Sequence, residues 1–248
     1  MFKSILIISD NVFLCTEFNK LLAEEKLPEI SWDFAVSQIS KISLFESALT
    51  REIRALDLKN SQTIESIIKK YDLVFSIHCK QIFPPDLVNS VKCINIHPGY
   101  NPINRGWYPQ VFALIYNLPV GATIHEIDEK LDHGKIIDRE LVNKTADDTS
   151  ESLYKKIIKK EIELLKKNLK KIILNEYNAY EPENDGNIYL KSDFNKLQEL
   201  KLDEKVMGHE LINTLRALSH GNFKNAFFID KISGKKVYVS INLEIENE

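Results

Sequence analysis

Cysteine, glycine and net positive charge are all scarce in this sequence, and each scarcity excludes a class of protein. Three cysteines among 248 residues are too few for a disulfide framework, and no CxxC pair marks a redox or zinc motif. The eight glycines nowhere form the GxGxxG turn of a nicotinamide-binding Rossmann enzyme. The net charge of −3 provides no basic field for nucleic acid or anionic lipid. We therefore expect neither nucleic acid nor membrane as a partner.

Long apolar runs are also missing. No run approaches the ~20 residues that span a bilayer. The N-terminal stretch MFKSILIISDNVF lacks the small-residue cleavage site of a secretory signal. Because unpaired thiols suit a reducing compartment, we expect the protein to be cytoplasmic.

What the chain does contain is a series of short apolar segments. Hydrophobic residues make up 44% of the sequence, enough for a sizeable core. The patterns predict strands at 3–8, 31–37, 71–78 and 93–97, with helices between them. Such alternation is typical of a mainly parallel twisted sheet with helices on both faces. The sequence therefore predicts an α/β, Rossmann-like fold.

The second half of the chain predicts a different order of elements. A helix is expected at 107–117, a strand at 120–128 and its hairpin partner at 135–142. A capping signature at Thr149 and apolar residues at three-to-four spacing then predict one long helix. Its many lysines are better interpreted as a solvated flank than as a membrane-binding face.

A polar stretch at 178–192, which contains Pro182 and Gly186, predicts a linker. The helix and two strands that follow it are too few to stand alone, so we expect them to lean on the first domain or on another subunit. The predicted division is a large domain at 1–178 and a small C-terminal α+β unit at 179–248.

The strand CINIH carries two polar side chains at its end. Side chains alternate along a strand, so Asn95 and His97 share one face, and Pro98–Gly99 ends the strand. Open parallel sheets bind ligands outside the carboxyl ends of their strands, so the pair faces a candidate cleft. A histidine at such a place is nevertheless more often a hydrogen-bonded structural residue.

A second segment, GATIHEIDEKLDHGKII, strengthens the functional interpretation. It places Thr123 and His125 on one face of a strand, followed by a loop rich in carboxylates. Alone, that loop would be interpreted as a solvated turn.

Together, INIHPGYNPINRG and GATIHEIDEKLDHGKII resemble the formyltransferases that use 10-formyltetrahydrofolate, and specifically their nucleotide-sugar N-formyltransferase branch. The resemblance covers roughly residues 1–175, and INTLRALS resembles a helix that follows the catalytic domain in several relatives. It implies a catalytic trio of Asn95, His97 and Asp132. The run HPGYNPINRGWYPQ departs from the HxSLLPxxxG-like run of the glycinamide-ribonucleotide and methionyl-tRNA branches, which argues against those two substrates.

These three residue types suit acyl transfer to an amine. An amide such as Asn95 can donate a hydrogen bond to the formyl oxygen. Neutral His97 can accept the amine proton, because an imidazole titrates near neutral pH. Asp132 can orient His97 and relay a proton to the departing nitrogen.

The resemblance implies formyl transfer from 10-formyltetrahydrofolate to a dTDP-linked amino-dideoxysugar, with dTDP-4-amino-4,6-dideoxyglucose the first choice. The product would enter surface polysaccharide such as O-antigen, and relatives suggest a homodimer. The alternatives are a 3-amino isomer or a UDP- or GDP-linked amino sugar, and a non-catalytic folate- or nucleotide-binding module on the same fold.

Two further sets of residues are expected around the trio. By resemblance, the cofactor contacts are His78, Cys79, Gln81, Ile82, Asp128, Glu129 and Lys130. The candidate contacts of the nucleotide sugar, chosen as charge partners and stacking groups, are Lys80, Asn104, Arg105, Trp107, Tyr108, Phe223 and Lys224. No metal is expected, because a zinc site made of His78, Cys79, Cys93 and His97 would fit no standard spacing.

Overall fold

Strands and helices alternate along most of the chain in a computed structural model, which describes residues 1–27 and 29–246. The strands are β1 (Ser4–Ser9), β2 (Ser31–Ser37), β3 (Arg54–Leu56), β4 (Leu73–Ile77), β5 (Lys92–His97), β6 (Arg105–Gly106), β7 (Gly121–Glu126), β8 (Ile136–Leu141), β9 (Ile188–Tyr189), β10 (Ser219–His220), β11 (Phe223–Lys224), β12 (Ala226–Ile229) and β13 (Lys236–Val239). The helices are α1 (Val12–Glu24), α2 (Ile42–Leu49), α3 (Ser61–Lys70), α4 (Pro85–Val88), α5 (Pro109–Ile115), α6 (Ser150–Leu174), α7 (Lys191–Leu197) and α8 (Gly208–Leu218).

Seven strands form the main sheet, in the order β3–β2–β1–β4–β5–β7–β8. The first five of these pair in parallel, and β7 and β8 pair antiparallel. Central β1 is apolar and buried along its length because helices cover both of its faces. The predicted mainly parallel α/β sheet and the predicted β7–β8 hairpin are confirmed.

Each face of the sheet has its own apolar core. On one face, Phe18 of α1 packs with Leu165 and Leu169 of α6. On the other face, Ile64 of α3 and Leu87 of α4 join the core. Helix α6 begins after a reciprocal cap in which the Thr149 and Ser152 side chains each accept the other's backbone N–H. Helices therefore lie on both faces, as predicted.

The C-terminal unit packs on the main domain through a third apolar cluster. Phe112 of α5, Leu153 of α6, Phe194 of α7 and Leu218 of α8 are all buried in it. Helix α7, to which the sequence analysis assigns no element, is held here by the single buried residue Phe194. The small unit therefore leans on the main domain by burying α8 against α5 rather than by forming a core of its own.

The stretch predicted as a linker is ordered against the main domain. Tyr180 pairs its backbone with Ile136, and β9 pairs with β6. Helix α5 is shorter than the predicted 107–117, because Tyr108 has a positive φ and Pro109 begins the helix. Within the described part of the chain, no helix is both long enough and apolar enough to cross a bilayer.

Candidate active site

Strand pairing brings the two conspicuous segments of the sequence together. Strands β5 and β7 run antiparallel, with Asn95 opposite His125 and His97 opposite Thr123. Because these four residues share a face of the sheet, their side chains gather at the end of β5. The predicted cleft at this strand end is a cavity of about 690 Å³.

Asp132 reaches the same point from the loop after β7. Asn95 Nδ2 donates to Asp132 Oδ1 at 2.9 Å, and the backbone N–H of Gly106 donates to Asp132 Oδ2 at 3.0 Å. His97 Nδ1 lies 3.5 Å from Asp132 Oδ2, too far for a good direct hydrogen bond. An amide, an imidazole and a carboxylate thus converge in one place.

Burial sets the charge states of this trio. His97 is only 3% exposed, and its burial lowers its pKa, a shift that the neighbouring Asp132 carboxylate only partly offsets. Burial alone would raise the pKa of Asp132, but that pKa lies well below its usual range, and the hydrogen bond from the Gly106 N–H is one of the contacts that hold it there. The site therefore presents a neutral His97 beside an ionised Asp132.

His125 belongs to this group, although the sequence analysis gave it no role. Its Nδ1–H donates to the backbone carbonyl of Glu126 at 2.6 Å, so its Nε2 is an acceptor, and it lies 3.2 Å from Asn95 Nδ2. Both amino hydrogens of Asn95 therefore have partners, His125 and Asp132. The sequence did contain a signal for His125, since it stands two residues after Thr123 in one strand and therefore shares a face with it.

The backbone around the cleft is held in uncommon conformations. His78, Asn104, Tyr108 and Asp132 have φ between 47° and 60°, a region that non-glycine residues rarely adopt outside constrained sites. Gly99 is needed for space, because a Cβ there would lie 2.4 Å from His97 Nε2. The trio is therefore held by its loops as well as by its hydrogen bonds.

The predicted cofactor contacts divide into two groups. His78, Cys79, Gln81 and Ile82 line the cavity. The Gln81 amide already has partners, because it donates to Leu56 O and accepts from the Leu58 N–H. Burial raises the pKa of the Cys79 thiol to about 12, so this thiol stays protonated at neutral pH.

The second group of predicted cofactor contacts lies outside the cavity lining and remains a prediction. Asp128 accepts from His133 Nδ1, Glu129 accepts from Asn89, and Lys130 donates its backbone N–H to Asp128. These residues shape the loop, and Leu131 and Asp132 line the cavity in their place.

Four of the predicted sugar-nucleotide contacts, Lys80, Trp107, Tyr108 and Phe223, line the cavity. The other three do not. Asn104 is fully buried, and its amide donates to Pro119 O and accepts from Asn187. Arg105 lies outside the lining although Gly106 belongs to it. Lys224 instead places its Nζ over the Tyr238 ring, 5.4 Å from the centroid.

Sequence analysis missed a polar chain in the cavity wall. Tyr154 of α6 lines the cavity, and its hydroxyl lies 3.0 Å from His78 Nδ1. His78 Nε2 lies 2.8 Å from the buried Glu161 carboxylate. Glu161 stands four residues after Ile157 and four before Leu165, so helical spacing already placed it on the buried face.

No three His, Cys, Asp or Glu side chains are arranged to hold a metal ion in residues 1–27 and 29–246. Two residues of the zinc site that the sequence analysis disfavoured have other contacts: His78 contacts Tyr154 and Glu161, and Cys93 is buried in the sheet.

Comparison with known proteins gives consistent matches over nearly the whole chain. Residues 33–169 match the family described as formyl transferase, and residues 193–245 match the N-formyltransferase dimerization C-terminal domain. The chain is 45% identical over 186 residues to dTDP-4-amino-4,6-dideoxyglucose formyltransferase of Mycobacterium tuberculosis, covering 75% of this chain and 79% of that protein.

Two solved structures extend the match to the full length. A 4-N formyltransferase from Francisella tularensis superposes with a TM-score of 0.92 at 41% identity, covering 98% of this chain and 99% of the other. A sugar N-formyltransferase from a Shewanella species gives a TM-score of 0.93 at 38% identity, covering 99% of each chain. The sheet, the cleft and the C-terminal unit are therefore shared with these enzymes.

Proposed function

The chain belongs to the formyl transferase family and is an N-formyltransferase, and from this premise we propose its two substrates. It transfers the formyl group of 10-formyltetrahydrofolate to the amine of dTDP-4-amino-4,6-dideoxyglucose. The observation that carries this proposal is the convergence of Asn95, His97 and Asp132 in one cleft, in a chain 45% identical to an enzyme named for that sugar nucleotide.

The cavity fits a folate as the donor. Its volume of about 690 Å³ suits a ligand of that size, and the loop at 78–82 and Leu131–Asp132 form one wall. When bound, 10-formyltetrahydrofolate supplies an electrophilic formyl carbon. We assign its contacts to this wall, since Asp128, Glu129 and Lys130 lie outside the lining.

In the proposed mechanism His97 is the general base. Its Nε2–H donates to the Asn104 carbonyl, 3.4 Å away, which leaves Nδ1 unprotonated on the side of Asp132. The 3.5 Å between Nδ1 and Asp132 Oδ2 leaves these two acceptors free to share the hydrogens of an incoming amine. His97 takes one proton from the amine and returns it to the nitrogen of the departing tetrahydrofolate, and Asp132 stabilises the imidazolium between these two steps.

Asn95 has two tasks in this scheme. One amino hydrogen fixes Asp132 at 2.9 Å, and the other contacts His125 Nε2 at 3.2 Å. The second contact is the longer one, so this hydrogen is the one that Asn95 can redirect to the formyl oxygen as charge develops there.

The test is a panel of amino-sugar nucleotides supplied with 10-formyltetrahydrofolate, with the formylated product detected by mass spectrometry. We expect the highest kcat/KM with dTDP-4-amino-4,6-dideoxyglucose. Preference for a 3-amino isomer or for a UDP- or GDP-sugar would reassign the substrate within the same reaction. Folate binding without turnover of any member would instead support the non-catalytic module and reject the enzyme.

The product of this reaction suits surface polysaccharide such as O-antigen, because a formamido-sugar nucleotide is an activated donor for glycosyl transfer. We place the reaction in the cytoplasm. The free thiols of Cys15, Cys79 and Cys93, two of them buried, support a reducing compartment.

The proposed domain division assigns catalysis to 1–178 and sugar-nucleotide or dimer contacts to 179–248. Phe223 and Asn225 of the C-terminal unit line the cavity, which supports a substrate contact. The match of residues 193–245 to a dimerization domain, together with exposed apolar residues on α8 and β13, supports a homodimer.

A further inference from the structure

Two cavities meet at Tyr154. The first, of about 690 Å³, holds the catalytic trio. The second, of about 510 Å³, lies between the start of α1 and the first half of α6. Tyr154 and His220 line both. A typical pocket for one ligand is ~300–1,000 Å³, so the folate and an entire nucleotide sugar need more room than the first cavity provides.

The topology of the sheet favours a ligand at this junction. Strand order reverses at β1, which lies between β2 and β4, and ligands bind at such switch points outside the strand ends. Asn11 follows β1 and lines the second cavity. His78 follows β4 and lines the first.

A buried polar chain fixes the Tyr154 hydroxyl at the junction. Glu161 is fully buried and lies 2.8 Å from His78 Nε2, whose Nδ1 lies 3.0 Å from the Tyr154 oxygen. Burial raises the pKa of Glu161, and His78 partly offsets that increase. Burying a carboxylate costs free energy unless it is paired, so the buried pair of Glu161 and His78 calls for a functional explanation.

The orientation of Asn11 determines the hydrogen bonds of Tyr154. Asn11 Oδ1 accepts the Leu14 N–H as the cap of α1, at 3.1 Å. Its Nδ2 therefore faces Tyr154, and it donates to the hydroxyl oxygen at 3.4 Å. His78 Nδ1 lies 3.0 Å from the same oxygen. The Tyr154 hydroxyl is thus fixed at the junction, within reach of a ligand that passes between the cavities.

The rim of the second cavity carries mixed charge with a basic surplus. Lys155 pairs with Glu151 at 2.9 Å. Lys159 also lines the cavity and has no carboxylate within 4.0 Å in the described ranges 1–27 and 29–246. Phe13, which is 55% exposed, offers an aromatic face beside these lysines. An anion attached to a flat ring matches this lining.

We infer that Tyr154 donates to the diphosphate of the nucleotide sugar where it passes between the two cavities, and that His78 and Glu161 are positioning residues for this hydroxyl. The nucleoside then occupies the second cavity, and the amino sugar reaches Asp132 in the first. This inference rests on the proposed function, because it requires a sugar-linked nucleoside diphosphate as substrate.

The test compares Tyr154→Phe with Tyr180→Phe, a matched control whose ring is half exposed and lies outside both cavities. Isothermal titration with dTDP alone reports the diphosphate contact. We expect dTDP to bind at least about tenfold more weakly to Tyr154→Phe, since a hydrogen bond to a charged group is lost. Binding to Tyr180→Phe should equal that of the wild type.

Kinetics separate positioning from folding. For Glu161→Gln, we expect KM for the sugar nucleotide to rise several-fold while kcat and KM for the folate change less than twofold. Loss of a merely structural residue would lower active enzyme and hence kcat, and would lower the melting temperature without this split. If Glu161→Gln does not fold, the titration of Tyr154→Phe with dTDP tests the inference on its own.

Unchanged dTDP affinity in Tyr154→Phe would overturn the inference. If the KM for the folate were raised at the same time, the junction would be assigned to the anionic glutamate tail of the folate. The substrate panel and these measurements can fail separately, because dTDP binding requires no formyl transfer.

Discussion

The cleft and the C-terminal unit depart from the ordinary distribution of residues in opposite directions. In the cleft, polar groups are buried, with His97 at 3%, His125 at 1% and Glu161 at 0% exposure. In the C-terminal unit, apolar groups are exposed, with Ile232 at 96% and Met207 at 63%. Both departures are informative, because most buried residues are apolar and large exposed apolar patches are rare.

The difference lies in where each group finds its partner. Every buried polar group named in the cleft has a partner inside the chain, such as Asn95 for Asp132 or His78 for Glu161. The apolar side chains of α8 and β13, in contrast, leave a large part of their surface exposed, with Ile212 at 45% and Val237 at 40%. Thus the polar groups of the cleft are paired within one chain, and the C-terminal surface is the part that we propose for contact with a second copy.

The largest effect is expected from removing a buried polar group from the cleft. We expect His97→Ala or Asp132→Ala to lower turnover at least ~100-fold while the fold is retained, because each removes a group that handles the proton. His209→Ala, an exposed histidine on α8, is the control and should keep wild-type turnover. Near-normal rates in either cleft variant would exclude that residue from the mechanism.

A smaller effect is expected from making the exposed apolar surface polar. Val237→Lys lies on β13, whose only strand partner in the described chain is β12. We expect it to weaken dimerisation at least about tenfold in analytical ultracentrifugation. Its free energy of unfolding as a monomer should change by less than about 0.5 kcal/mol.

Ile39→Lys is the matched control for that variant, since Ile39 is 72% exposed in a loop far along the chain from the C-terminal unit. Equal weakening by both substitutions, or a wild-type protein that is monomeric at all concentrations, would contradict the assignment of the dimer surface.

The smallest effect is a shift in a pH profile. His97 acts as a base only when neutral, and burial lowers its pKa from 6.5. Activity should therefore persist as pH falls through 6.5 and decline only at lower pH, where His97 becomes protonated. The measurement is kcat/KM against pH with ring titration by NMR. A decline that begins above pH 6.5 would show that His97 is not buried in this way.

The sequence predicted those strands and helix ends that depend only on residues close together in the chain. The apolar run of β1 is continuous, the strand predicted at 31–37 is observed as β2, and the α6 cap stands at Thr149. Alternation along β5 likewise placed Asn95 and His97 on one face, which the cavity confirms. These features need only neighbours within a few residues.

The remainder depends on contacts between distant segments. His125 becomes part of the site only because β7 pairs with β5 in one register, and sequence alone does not fix that register. Glu161 looks like one more charge in a lysine-rich helix until His78 arrives from the end of β4. Asn104 and Arg105, two predicted substrate contacts, lie outside the cavity lining, and Arg105 belongs to β6, which pairs with the distant β9.

The hydrogen bond from Gly106 to Asp132 has a consequence for the redesign of this enzyme. The contact is made by a main-chain N–H at 3.0 Å, so truncation of the neighbouring side chains leaves this donor in place. Proline is the one residue that lacks this hydrogen, and its fixed φ near −65° cannot follow the +91° at this position. Libraries that vary every side chain around the sugar would thus inherit an anchored carboxylate.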